Sequence, residues 1–101
     1  MMNFGEMKEA LVLQQKMKKM QKSLKKLTLR RRDPGEGVEV EVNGEGLVKQ
    51  VRILDPGLLD PKRKKDLERA LVWTLQRAQE DARTESEKRM KELLGDLPLP
   101  F

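Results

Sequence analysis

Apolar residues recur along the first quarter of the chain at Ala10, Leu13, Met17, Met20, Leu24 and Leu27, at alternating intervals of three and four. That spacing is one face of a helix, and it is a narrow heptad seam rather than a broad core stripe. Leu11 and Val12 widen the apolar surface near its start, and Asn3 with Glu6 has the spacing of a capping box. The pattern predicts a helix over about 4–27. The period then changes. Val38-Glu39-Val40-Glu41-Val42 alternates strictly, with three valines on one side and two glutamates on the other. Asn43-Gly44-Glu45-Gly46 is a strong hairpin signal. The returning strand, Leu47 to Ile53, puts Leu47, Val51 and Ile53 on a common face and leaves Lys49 out of pattern. Thr28 to Arg32, ahead of a turn at Asp33-Pro34-Gly35, predicts a further short strand. The sum is a small antiparallel sheet of two to three strands over about 28–54. Two strands alone are marginal in water, so a helix must pack on the valine face.

Asp55-Pro56-Gly57 closes the sheet, and Asp60 followed by Pro61 is a standard helix start, cap then first helical position. A second helix is predicted over about 61–94, with Gly95 as its stop. Its core face is Leu67, Ala70, Leu71, Thr74, Leu75, Ala78 and Ala82, after which that face turns polar at Glu85 and Arg89. A helix of 34 residues spans roughly 51 Å, whereas a globule of this size is only about 33 Å across. The end of the second helix must therefore leave its own globule. Glu85 with Arg89, and Glu87 with Lys91, have the spacing that stabilises an exposed helix. An apolar, proline-rich tail occupies 95–101. The fold class is α+β, read as one domain over 1–101.

Charge alters this picture. Nine basic residues fall between Lys16 and Arg32 with no acid among them: Lys16, Lys18, Lys19, Lys22, Lys25, Lys26, Arg30, Arg31 and Arg32. The rest of the chain, with 13 basic and 17 acidic residues, is net −4, so the overall +5 belongs entirely to that segment. Such asymmetry is the footprint of binding to nucleic acid or another anionic surface. With the seam fixed, Lys18, Lys19, Lys22, Lys25 and Lys26 occupy the positions farthest from it and form one basic strip. A merely solvated face mixes signs to collect favourable pairs. This one stacks Lys18, Lys22 and Lys26 in a like-charged row, at a cost of about 0.2–0.5 kcal/mol per contact, which a polyanion would convert into binding.

A second cluster, Lys62, Arg63, Lys64 and Lys65, loads the first turn of the second helix, where the macrodipole disfavours cations. It is a candidate phosphate cradle. Trp73 lies roughly 150° around the helix from the core face, so it is expected to meet a partner subunit or the tail. Asp55 and Asp60 are spaced like a carboxylate pair, but turn former and helix cap are sufficient roles for them.

Composition narrows the function. The 101 residues are 39% charged, against roughly 25% in an average globular chain, and 37% hydrophobic, with Phe4, Trp73 and Phe101 the only aromatics. So thin a core invites completion by a second subunit. Leu13, Met17, Met20, Leu24 and Trp73 are the candidate homodimer contacts. Histidine, cysteine and tyrosine are absent, which removes the imidazole base, the thiolate nucleophile, cysteine/histidine zinc sites and disulfides. No catalysis, metal, cofactor or small-molecule substrate is expected. No uncharged stretch is long enough for a membrane span, and the N-terminus lacks a signal peptide's basic end and apolar run. Both fit a cytoplasmic protein.

In their order, Met-Asn-Phe-Gly at the N-terminus, Gln14 through Lys22, Gly37-Val38-Glu39-Val40-Glu41-Val42-Asn43-Gly44, Asp55-Pro56-Gly57-Leu58-Leu59-Asp60 and the ending Leu97-Pro98-Leu99-Pro100-Phe101 resemble the YbaB/EbfC nucleoid-associated proteins of bacteria. The resemblance covers nearly the whole chain. It implies a helix, a three-stranded antiparallel sheet and a long second helix, paired as a tweezer-shaped homodimer that binds double-stranded DNA. Family members often mix acids into the end of the first helix, whereas this chain reads Leu24-Lys25-Lys26-Leu27 and then three arginines. The expectation is a DNA-binding protein of the nucleoid that contacts phosphates with little sequence preference. The rivals are a small homodimeric adaptor that binds a recombination or replication protein through its seam and tail, and RNA binding, which the scattered aromatics disfavour.

Overall fold

The computed structural model describes residues 3–95. Helix α1 spans Phe4–Lys26; strands β1, β2 and β3 span Thr28–Arg31, Val38–Asn43 and Val48–Ile53; helix α2 spans Lys64–Gly95. The sheet is antiparallel in the order β1-β2-β3. The third strand and both long helices are therefore present. The cap on α1 is reciprocal: Asn3 Oδ1 accepts from the Glu6 N–H at 2.8 Å, and the Glu6 carboxylate accepts from the Asn3 N–H.

Several boundaries differ from the sequence reading, each for a local reason. Leu27 is the cap of α1, in extended conformation, and not its last residue. Asp60 does cap a helical start, accepting from the Lys62 N–H at 2.9 Å, but Pro61–Arg63 is a 3-10 turn and the α-helix begins at Lys64. Gly95 is the last helical residue rather than the stop beyond it, and the rest of the tail lies outside the described residues. β3 starts at Val48, because Leu47 takes part in the hairpin turn, where its carbonyl accepts from the Asn43 N–H at 2.9 Å. Lys49 breaks the alternation because the pairing shifts there: Glu41 faces Gln50 and Val42 faces Val48, leaving Lys49 as the extra residue of a bulge.

The core lies between α2 and one sheet face. Val40 and Val42 pack with Ala78 and Ala82, flanked by Leu29 and Leu75; Val38 packs with Leu58 and Ala70, flanked by Leu67 and Leu71. Ala70, Thr74, Ala78 and Ala82, all buried, form an i,i+4 row of small side chains that lets the helix lie close on the valines. α2 covers β1 and β2. It does not cover β3, where Val48, Val51 and Ile53 are opposite the buried valines in the pairing, hence on the same face, yet remain exposed.

Candidate nucleic-acid interface

α1 carries the basic strip, and the hairpin between β2 and β3 sets its direction. The last carbonyls of any helix lack partners within it. Here the Gly44 N–H donates to the Leu24 carbonyl at 2.7 Å, and Asn43 Nδ2 donates to the Lys25 carbonyl at 3.5 Å. Asn43 is itself buried, its Oδ1 accepting from the Glu45 and Leu47 N–H groups. Leu24 is sealed against this turn and is 4% exposed. Leu24, expected as a homodimer contact, packs against the hairpin turn of its own chain. Met20 likewise faces a groove shared with Gly44, Ala82 and Met90. Leu13 and Met17 are half-buried on α1.

Fixed in this way, α1 presents Lys18, Lys19, Lys22, Lys25 and Lys26 to solvent. At 100° per residue they span an arc of about 120° opposite the seam. Lys16 is half-buried, nearer the seam side. Among the described residues, no carboxylate lies within salt-bridge range of any of these six lysines.

The arginines behave differently. Arg30 Nε donates to Glu41 at 2.9 Å across the sheet, and this hydrogen bond, followed by the charge of Glu41, raises the Arg30 pKa above its ordinary value. Arg31 donates to Asp33 at 2.9 Å and to Asp81 of α2 at 3.3 Å. Arg63 lies between Asp66 and Asp55, at 3.3 Å from each, and the hydrogen bond to Asp66 is the first cause of its raised pKa. These three cations are engaged within the chain. Arg32, Lys62 and Lys65 are exposed, and Lys64 only grazes Glu68 at 4.0 Å.

The two basic clusters do not merge. The α1 strip ends beside the hairpin turn at Asn43 and Gly44, whereas Lys62 to Lys65 follow the segment that packs at Val38, the opposite end of β2. Trp73 is half-exposed on α2, with the Arg77 guanidinium 4.1 Å above its ring.

The YbaB/EbfC DNA-binding family profile matches residues 1–97. The chain belongs to this family. Among its relatives are nucleoid-associated proteins of Beijerinckia indica (31% identical over 97 residues, 96% of this chain and 95% of the relative), Rhodopseudomonas palustris strain BisA53 (38% over 96 residues, 95% and 90%) and Rhodospirillum rubrum (33% over 101 residues, 99% and 94%). Within the YbaB/EbfC frame, two residues that sequence reasoning read only as turn formers, Asn43 and Gly44, aim the basic helix. The uncovered apolar face of β3 also went unnoticed. Its signal was present in Val48, Val51 and Ile53, but nothing local said that α2 would lie to one side. Arg89 was noted as the polar end of the core face and as an i,i+4 partner of Glu85. It does bind Glu85, at 3.0 Å, and also donates to Ser23 Oγ at 2.8 Å, joining α2 to α1.

Proposed function

We propose that the chain acts in the nucleoid as a homodimer that binds duplex DNA through the phosphate backbone, with little preference for sequence. The carrying observation is the outward face of α1: five exposed lysines and no carboxylate in range among the described residues. A lysine ammonium is a compact point charge suited to phosphate, and it lacks the planar fork with which arginine reads guanine. The family and the names of the relatives support DNA binding, a nucleoid location and a role in binding rather than catalysis. Arg30, Arg31 and Arg63 are held by carboxylates, so phosphate contacts fall to the α1 lysines, with Arg32, Lys62, Lys64 and Lys65 secondary.

The homodimer is supported by apolar surface that one protomer leaves open. Val48, Val51 and Ile53 on the edge strand, with Val72 on α2, are each more than a third exposed. An uncovered apolar edge strand invites pairing. A second copy seated there would close the core and double the number of basic helices on one DNA.

Titration of mixed-sequence duplexes over a series of salt concentrations tests the reading. Log affinity should fall with log salt at a slope of about −0.9 per phosphate contacted. A slope near zero, or a strong preference for one short sequence, would overturn it.

A further inference from the structure

We propose that Ser23 is a phosphorylation site whose phosphate is received by Arg89 and releases the protein from DNA; the release rests on the DNA-binding reading above. The chain has five hydroxyl residues: Ser23, Thr28, Thr74, Thr84 and Ser86. Thr74 is buried, and Ser86 is half-buried in the groove between the helices. Ser23 is exposed, and among the described residues it is the one hydroxyl to which a guanidinium already donates, Arg89 Nη1 at 2.8 Å. Its own proton goes to the Met20 carbonyl, also at 2.8 Å. Lys19 and Lys26 stand four residues before and three after it, on adjacent turns of the same helix flank.

Arg89 of α2 thus touches a neutral oxygen, and two more cations sit one helical turn from it on α1. A phosphate there adds a charge of about −1.5 to −2 and three strong acceptors. Two features oppose it: the site lies in the last turn of α1, where the helix end repels anions, and Glu85 holds Arg89 Nε at 3.0 Å. The remaining Arg89 N–H groups and the two lysines outnumber these. In the transfer, Ser23 Oγ forms a bond to the γ-phosphorus of a nucleoside triphosphate as the bond to the nucleoside diphosphate breaks. The hydroxyl proton passes to the base of a protein kinase. The phosphate then draws Lys19 and Lys26 onto itself, so the strip loses two phosphate-binding cations and gains an anion.

The test compares the full chain with and without phosphoserine installed at position 23, each with Arg89 intact or as Arg89→Gln. With Arg89 intact, phosphorylation should weaken binding to mixed-sequence duplex by about tenfold or more, and flatten the salt slope by about 1.8 per protomer. The melting temperature should hold with Arg89 and drop in Arg89→Gln. Unchanged DNA affinity would overturn the release, and an equal melting shift in both backgrounds would overturn Arg89 as the receiver. If the unmodified chain binds no DNA, it is the backbone-binding reading that has failed, and the melting comparison still judges the phosphate site. Peptide mapping of the protein from its own cells should find phosphate on Ser23 in the pool not bound to DNA; its absence from both pools would overturn the assignment.

Discussion

Gly44 is the residue at which the hairpin and α1 come closest. A Cβ there would stand 2.7 Å from the Leu24 carbonyl oxygen and 2.9 Å from its Cα, and a backbone cannot give way as a side chain can. Gly44→Ala should lower stability by about 1–3 kcal/mol, the usual cost of overpacking, as read by urea unfolding. It should also weaken DNA binding, because α1 loses its anchor; a variant that melts like the parent would show that α1 is not held by this contact. Thr74 is the opposite case. It is fully buried and among the described residues its Oγ1 has no hydrogen-bond partner, so the hydroxyl is desolvated without return. Thr74→Val should raise stability by about 1 kcal/mol. A fall instead would mean that the hydroxyl has a partner, such as a buried water. Sequence pattern placed Thr74 on the core face of α2 correctly, but an orphaned hydroxyl is a property of its neighbours and leaves no trace in the spacing.

The basic strip of α1 belongs to the scale of the element, because only a helix turns the spacing of Lys18, Lys22 and Lys26 into a row. Replacing all three by glutamate should abolish DNA binding while circular dichroism and melting stay close to the parent. The positions are exposed, and glutamate is about as good a helix former as lysine. The matched control is Glu87→Lys with Glu92→Lys, both exposed on α2, which should not weaken binding. Glu85 is unsuited to that control because it holds Arg89. A folded triple variant that binds normally would move the site to Lys62 through Lys65. Along α1 the sequence showed the strip plainly. The seam behind it was only partly what it resembled: heptad spacing said that an apolar surface packs there, and the hairpin turn of the same chain takes its one buried position, Leu24.

Over the described residues the molecule is elongated, 67 × 23 × 20 Å, and its sheet is only partly covered. α2 lies over β1 and β2, so the apolar side of β3 faces outward at the sheet edge. Sedimentation equilibrium should show a dimer at micromolar concentration, and Val51→Glu should shift it towards monomer. The new charge sits on surface that is already exposed in the protomer, so the variant should still fold. A dimer unaffected by Val51→Glu would place the interface elsewhere, with Leu13, Met17 and Trp73 the remaining apolar candidates on the helices. The monomeric variant should also bind DNA more weakly, because it loses the second set of α1 lysines, and the salt slope should fall to about half.

The sequence alone determined the order and kind of the two long helices and of the β2–β3 hairpin, while it left the sheet at two to three strands. Each rests on signals within a few residues: the three-four spacing of α1, the Asn3 and Asp60 caps, the alternating valines and the Asn43-Gly44 turn. It also determined that positive charge gathers on one face of one helix, since that follows from composition and helical period together. Tertiary structure decided which charges remain free. Arg30 meets a carboxylate 11 residues away and Arg31 one 50 residues away, separations at which no local pattern speaks. Tertiary structure likewise decided that Leu24 turns inward and that β3 is left open. Both depend on where the hairpin and α2 settle on the sheet, and that is set by packing of the valines against a row of small side chains, not by the period of any single element.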